Sequence, residues 1–281
     1  MTYLVTGANG SFGGLALDFL KEFVPQDEIY ALVRSEEKGA ALKKAGFNVK
    51  IGDYADRTSM KEALSGIDRL LFVSGAPGNR QAEHENVVSA AKEAGVSYIA
   101  YTSIANAKDS KSSLAPDHIF TEKVIAESGI AHTFLRNNWY LENEMPLIGS
   151  ALASGKFVYA AEEGKTGWAL RREYAEVAAK AVAGTEYPEI LELSGEPITY
   201  AELGQALKEA TGQDIEIVAS SDQIFVDSLA AAGLPQPVAE MFLTFQQDIK
   251  AGHLDVSSAD FEKALGRPLT SHVEALKELL K

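Results

Sequence analysis

The chain has 281 residues, with 26 Lys and Arg against 40 Asp and Glu, a formal net charge of −14, and no cysteine. An acidic surface repels a phosphate backbone, so nucleic acid is excluded as the main partner, although a local basic pocket can still hold phosphate. Disulfides, thiolate nucleophiles and Cys-based metal sites are excluded by composition. The five histidines, His84, His118, His132, His253 and His272, are scattered without the close pairing of a zinc helix, and no metal is expected. The hydrophobic share of 46% is that of an ordinary globular protein. With no charged leader and no run of about 18 apolar residues, the chain reads as cytoplasmic and not membrane-bound.

The first half alternates short β-rich runs with helical stretches. Strands are expected at Tyr3–Thr6, Ile29–Val33, Val49–Ile51, Leu70–Val73, Tyr98–Thr102 and Thr133–Leu135. Between them, Leu15–Phe23, Ala40–Ala45 and Val87–Ala94 read as helical, and Gly46, Gly66, Gly95 and Gly129 sit where a helix C-cap favours glycine. This spacing means βαβ units, hence an α/β fold with a Rossmann-type doubly wound parallel sheet. After about Leu141 the pattern loosens. Strands at Ile190–Leu193 and Ile215–Val218 alternate with helices near Tyr200–Ala210 and Ser221–Ala232. A further helix, opened by Pro235 and Pro237, carries Met241, Phe242 and Phe245, and two short helices follow, broken at Gly266-Arg267-Pro268. Residues 1–141 are expected to form a dinucleotide-binding domain and 142–281 a smaller α/β lobe on the substrate side, with an approximate boundary and a chain free to cross between them.

The most specific local motif is Thr6-Gly7-Ala8-Asn9-Gly10-Ser11-Phe12-Gly13, between the first strand and the first helix. Glycines at 7, 10 and 13 permit a tight turn, close approach of a pyrophosphate and close packing of helix on strand, and the helix N-terminus offers N–H groups to the phosphates. At the end of the second strand, where an NAD site places Asp or Glu for the ribose 2′-OH, the chain has Arg34, with Lys38 one turn later. Arg34 can fork onto a 2′-phosphate, which favours NADPH; pairing of Arg34 with Glu36 or Glu37 would leave NADH open. Asp53, followed by Tyr54, can accept from the adenine amino group or serve as a cap or turn residue. Ser74, Gly75 and Gly78 follow the fourth strand, where small residues let the cofactor pass.

Many reductases of this architecture use Tyr-x-x-x-Lys as proton donor and cofactor anchor, but none of the ten tyrosines here is followed four places later by lysine. An aliphatic ketone needs that acid because an alkoxide forms; a quinone yields a ring-stabilised anion that water can protonate. The missing dyad favours quinones or other conjugated acceptors.

The glycine loop, Tyr101-Thr102-Ser103, His118-Ile119-x-Thr121-Glu122-Lys123 and Leu135-Arg136-Asn137-Asn138-Trp139-Tyr140-x-Glu142-Asn143 together resemble the NmrA-like atypical short-chain dehydrogenase group. The resemblance spans nearly the whole chain and is densest over residues 1–143. It implies NADPH in the Rossmann domain and quinone reduction in the cleft beside the smaller lobe. Related members reduce triphenylmethane dyes, and one branch is a dinucleotide-binding transcriptional co-regulator. Asn138 stands where the group leads one to expect glycine, with a side chain that would narrow the acceptor site. His118 stands where related plant reductases carry lysine, and is the catalytic candidate; the alternative is an exposed helix histidine paired with Glu122. Thr102 or Ser103 is expected at the nicotinamide ribose and Asn137 at the nicotinamide. Asn138, Trp139 and Tyr140 are expected at the acceptor, with core packing open for the two aromatics. Phe225, Met241, Phe242 and Phe245 are candidates for a lid, with core packing favoured for most.

Overall fold

The computed structural model describes residues 1–281. In chain order the elements are β1 (Tyr3–Val5), α1 (Ser11–Leu20), β2 (Ile29–Val33), α2 (Glu36–Lys44), β3 (Asn48–Ile51), α3 (Arg57–Leu64), β4 (Arg69–Phe72), α4 (Arg80–Ala94), β5 (Tyr98–Ile104), α5 (Ala115–Ser128) and β6 (Ala131–Asn137). They continue as α6 (Met145–Ser154), β7 (Lys156–Tyr159), β8 (Lys165–Thr166), α7 (Arg171–Ala183), β9 (Ile190–Leu193), β10 (Ile198–Thr199), α8 (Tyr200–Thr211), β11 (Glu216–Ala219), α9 (Asp222–Ala231), α10 (Gln236–Lys250), α11 (Asp260–Leu265) and α12 (His272–Leu279). No helix is long and apolar enough to cross a membrane.

The chain divides into two compact units. The first comprises Met1–Lys108, Leu114–Asn137 and Arg172–Glu192; the second comprises Asp109–Ser113, Asn138–Arg171 and Leu193–Lys281. The first unit is built on the doubly wound sheet that the strand–helix alternation implies, in the order β3-β2-β1-β4-β5-β6-β9. β1 pairs in parallel with β2 on one side and β4 on the other, so that Tyr3 lies between Ile29 and Arg69. The strand order reverses there, leaving a crevice beyond the carboxyl ends of β1 and β4 where such sheets bind ligands. All residues of β1 and β4 are buried, as expected for strands covered by helices on both faces. The second unit packs a separate core around Trp168, Tyr200, Phe157 and Phe225, with β7 paired to β11 and β8 to β10.

The structure extends several elements beyond the expected bounds. α1 begins at Ser11, on the glycine loop itself, and α2 at Glu36, where the Ser35 hydroxyl accepts the Lys38 N–H as an N-cap. α5 and α7 carry no clear apolar stripe. In α7 the alanines at 175, 178, 179 and 181 are all buried, around most of the helix, so no polar face marks the 3.6-residue period.

Buried Arg69, the first residue of β4, holds α7 by its carboxyl end. Its guanidinium donates to the carbonyls of Val182, Ala181 and Gly184 and lies 3.9 Å over the Tyr98 ring. These are carbonyls that a helix terminus leaves without intrahelical donors. Replacing Arg69 by Ala is expected to cost about 2–4 kcal/mol, as buried acceptors lose a charged donor. Denaturant unfolding followed by circular dichroism would measure this; an unchanged midpoint would remove the capping role.

Candidate cofactor and active site

A cavity of about 460 Å³ opens in the first unit over the carboxyl ends of β1 to β4. It is lined by Gly7, Ala8, Asn9 and Gly10 after β1, by Leu32, Val33, Arg34 and Lys38 around the end of β2, and by Gly52, Asp53 and Tyr54 after β3. Val73, Ser74, Gly75, Ala76, Pro77, Asn79 and Glu83 complete it after β4. Gly7 has φ +61°, a conformation that L side chains rarely adopt. A Cβ at Gly13 would stand 2.2 Å from the Gly7 carbonyl oxygen, so only glycine lets α1 start this close to the loop. No side chain caps α1 and its first turn has no acid, which leaves the positive end of its dipole for an external anion.

Of the residues expected at the cofactor, Gly7, Asn9, Gly10, Arg34, Asp53, Tyr54, Ser74 and Gly75 line this cavity, whereas Ser11, Phe12 and Gly13 lie outside the lining, in the first turn of α1. Phe12 is buried. The Asn9 amide donates to the Lys38 carbonyl at 2.9 Å, tying the glycine loop to the first turn of α2. Glu36 is engaged by Lys43, while Arg34 is exposed at the cavity. Asp53 Oδ1 accepts the Ala55 N–H at 3.0 Å as a turn residue, and Asp53 lines the cavity. The helix cap nearby is Asp56. Sequence reasoning passed over Val73, Ala76, Pro77, Asn79 and Glu83, whose residue types carry no motif and whose place follows only from the path of the chain after β4.

Thr102, Ser103 and Asn137 are buried and lie outside the cavity lining. Thr102 Oγ1 accepts the Ser74 N–H at 2.8 Å, and Ser103 Oγ donates to Glu122 Oε1 at 2.6 Å. Glu122 in turn accepts from Arg136 Nε at 2.9 Å and Nη2 at 2.7 Å, and Arg136 Nη1 donates to Glu192 at 2.9 Å. Two of the residues that carry the family resemblance thus form a buried ion pair tying α5, β6 and β9 together.

His118 is neither exposed nor paired with Glu122. Its Nε2 faces Arg80 Nη1 at 3.3 Å and its Nδ1 faces the Tyr101 hydroxyl at 2.9 Å. A guanidinium only donates, so Nε2 accepts and the ring proton is on Nδ1. His84 is fixed in the same way: Nε2 accepts the Gly75 N–H at 3.0 Å, and Nδ1 donates to Thr121 Oγ1 at 2.8 Å. Arg80 Nε also donates to the Gly75 carbonyl at 2.9 Å. Burial, with the Arg80 charge second, pushes both histidines down to about 3. His118 is therefore a buried ring with both nitrogens hydrogen-bonded, not the exposed helix histidine of the alternative reading. The two rings hold Arg80 and Gly75, and so the loop that closes the cavity after β4.

In the second unit the Asn138 amide is fully committed. Its Nδ2 donates to Ser194 Oγ at 2.9 Å and to the Leu254 carbonyl at 3.0 Å, while Oδ1 accepts from Thr166 at 3.1 Å. Where the resemblance implies glycine, the side chain cross-ties three segments. Trp139 and Tyr140 are half-buried. Trp139 packs edge-on to Phe245 with centroids 5.0 Å apart, and the Arg171 guanidinium lies 5.3 Å over Tyr140. Phe225 is buried in the core, and Phe242 packs against it.

A parallel sheet with a switch point, a glycine loop running into an unneutralised helix end, and a cavity with Arg34 and Lys38 on its wall define an NAD(P)H-dependent oxidoreductase. The sequence matches the family described as NAD(P)H-binding over residues 7–183, and the chain belongs to this NmrA-like family. It is 36% identical to quinone oxidoreductase 2 of Escherichia coli, over 98% of this chain and 97% of that protein. The crystal structure of the E. coli NADPH-dependent quinone oxidoreductase with NADPH superposes with a TM-score of 0.93 at 36% identity, covering all of both chains. Triphenylmethane reductase of Citrobacter sp., in complex with NADP(H), gives 0.94 at 34% identity over 99% of each. An NmrA-like family domain-containing oxidoreductase of Aspergillus flavus is 29% identical over 100% of this chain and 95% of its own length.

The buried histidines set a pH dependence. Between about 3 and the ordinary 6.5 the unfolded chain binds more protons than the folded one, so stability falls as pH drops below about 6.5. The slope approaches about 1.4 kcal/mol per pH unit for each ring. Glu144, whose buried carboxyl is raised to about 7, binds its proton more tightly in the folded chain and opposes part of this loss. Melting curves from neutral pH to about pH 5 are expected to show the net loss, and His84→Gln should remove most of it. An equal acid-induced drop in wild type and variant would show that the rings are not its source.

Proposed function

We propose that the protein is an NADPH-dependent quinone reductase working by direct hydride transfer, with Arg34 as the residue that selects the 2′-phosphorylated cofactor. The observation carrying the cofactor half is the exposed Arg34 guanidinium on the cavity wall, joined by Lys38, at the end of β2 where an acid would select NADH. The reduced nicotinamide supplies the hydride. Gly7, Gly10 and the N-terminus of α1 take the pyrophosphate, Asp53 and Tyr54 border the adenine, and the Ser74–Gly75 turn carries the chain past the cofactor. Thr102, Ser103 and Asn137 act behind this layer: Thr102 holds Ser74, and Ser103 and Asn137 lie at the carboxyl ends of the strands that frame it.

The acceptor half is supported by the E. coli relative and by the chemistry of the chain. There is no Tyr-x-x-x-Lys dyad, and His118 is neutral with both nitrogens bonded, so no acid is provided for an alkoxide. A quinone accepting hydride becomes a hydroquinone anion whose charge the ring spreads, and water completes the reduction by protonating it. What is asked of the protein is orientation in a site that excludes water. Trp139 and Tyr140 are assigned to stacking on the flat acceptor, and Asn138 to holding the segment that carries them. A cationic triphenylmethane dye is the second reading, favoured by the Citrobacter relative and by the net charge of −14.

The test follows loss of reduced-nicotinamide absorbance with NADPH or NADH and a simple benzoquinone, after subtracting the uncatalysed reaction. Wild type is expected to prefer NADPH, and Arg34→Ala to raise the NADPH KM by about 10- to 100-fold while leaving NADH nearly unchanged. Turnover of a triphenylmethane dye without turnover of any quinone would replace the first reading by the second. Tight dinucleotide binding with no turnover of either would overturn both.

A further inference from the structure

Glu144, directly before α6, is a buried carboxylate outside every motif of the cofactor site. Its Oε1 accepts three bonds at once: from the Trp139 indole N–H at 3.0 Å, the Trp168 indole N–H at 3.2 Å and the Tyr200 hydroxyl at 2.9 Å. Trp139 and Trp168 are the only tryptophans in the chain. The three donors come from the segment after β6, the segment between β8 and α7, and the first residue of α8. Trp168 and Tyr200 are fully buried and pack edge-on, with centroids 4.9 Å apart. Trp139 differs in being only half-buried, with its other contact to Phe245.

No cation faces this carboxylate. Tyr200 is stacked on Tyr159, and Glu163 acts on Tyr159 from further out. Glu142, two residues earlier, spends both oxygens on the Arg171 backbone N–H. Gln246 of α10 contacts the Tyr200 hydroxyl and accepts from the N–H groups of Ala160 and Ala161. A carboxylate buried without a counter-ion is costly, and an apolar residue of similar volume serves stability as well or better. What Glu144 supplies instead is direction: a fixed oxygen that dictates the plane of each indole bonded to it.

We propose that Glu144 is the positioning residue for the acceptor, fixing the Trp139 indole through its N–H so that the half-buried ring presents one orientation to a flat aromatic acceptor. This rests on the reading of Trp139 as a stacking surface. Burial, opposed by the three hydrogen bonds, raises the Glu144 carboxyl to about 7. Ionised, it accepts charge-assisted bonds; protonated, it accepts weakly and its hold on the indole loosens. Acceptor affinity therefore rises with pH through neutrality, while binding of the dinucleotide does not follow this titration.

The experiment has an optical arm and a kinetic arm. In Trp168→Phe the only indole left is Trp139, and its emission is expected to titrate with a midpoint somewhat above 7, because the Trp168 N–H that helps keep the carboxylate ionised is gone. The double variant Trp168→Phe with Glu144→Gln should give emission flat across that range. In the kinetic arm, Glu144→Leu is expected to raise the benzoquinone KM by about fivefold with kcat and the NADPH KM little changed. Glu144→Gln, which keeps an accepting oxygen, should restore much of the loss and flatten the pH dependence of the quinone KM. Emission that fails to titrate, or titrates identically without Glu144, overturns the clamp. A quinone KM equal in wild type, Glu144→Leu and Glu144→Gln overturns its link to the acceptor. A wild type that reduces no quinone fails the functional reading alone, and the optical arm then decides the clamp by itself.

Discussion

The close approach of Gly13 to the Gly7 carbonyl, which leaves no room for a Cβ, sets the geometry on which the cofactor site depends. β1 must end, turn through a left-handed residue at Gly7 and enter α1 within a few residues, and the helix can start there only if no side chain stands between it and the loop. A larger residue at 13 would push α1 away, and the N–H groups at its start would no longer point over the switch point between β1 and β4. The other parts of the cavity are arranged around that fixed edge. Asn9 ties the loop to α2, the Ser35 cap starts α2 directly after Arg34, and Thr102 holds the Ser74 turn.

Outside the cavity lining is a second set of polar groups that hydrogen-bond to one another. His84, His118, Arg80, Thr121 and Tyr101 form a buried array in which the obligatory donors, a backbone N–H and a guanidinium, dictate where each imidazole keeps its proton. Ser103, Glu122, Arg136 and Glu192 form another. Such arrays are costly to leave half-satisfied, so they impose one arrangement on the elements that carry them. In this chain His118, Glu122 and Arg136 hold the frame of the site.

The first half was readable because its signals are local. Short buried runs bounded by glycines locate parallel strands, and a glycine triplet at a strand–helix junction has few other uses. The Arg34 position followed from its distance beyond that loop. Past Leu141 the determinants are tertiary. α7 is buried on most sides, β8 and β10 have two residues each, and nothing in the sequence near Glu144 says that Trp168 and Tyr200 converge on it. The misreading of His118 has the same origin. Its i+4 neighbour Glu122 suggested a surface pair, but Glu122 turns to Arg136 and Ser103, and His118 faces a guanidinium from another helix. Asn138 shows the reverse case, in which a departure from the expected residue found partners of its own within the fold.

The grip of Arg69 on the end of α7 has a consequence for biosynthesis. β4 is made early, but the carbonyls that satisfy its first residue belong to residues 181–184, more than a hundred positions downstream, and the sheet gains β9 only later still. A nascent chain that has completed β1 to β6 therefore holds a buried-type cation without acceptors and an open β6 edge. The dinucleotide-binding unit closes only after the ribosome has passed through the intervening 34 residues, 138–171, which belong to the second unit. Folding of the two units is interleaved in time by the order of the gene, and a fragment cut at the end of β6 would inherit the unfinished edge permanently.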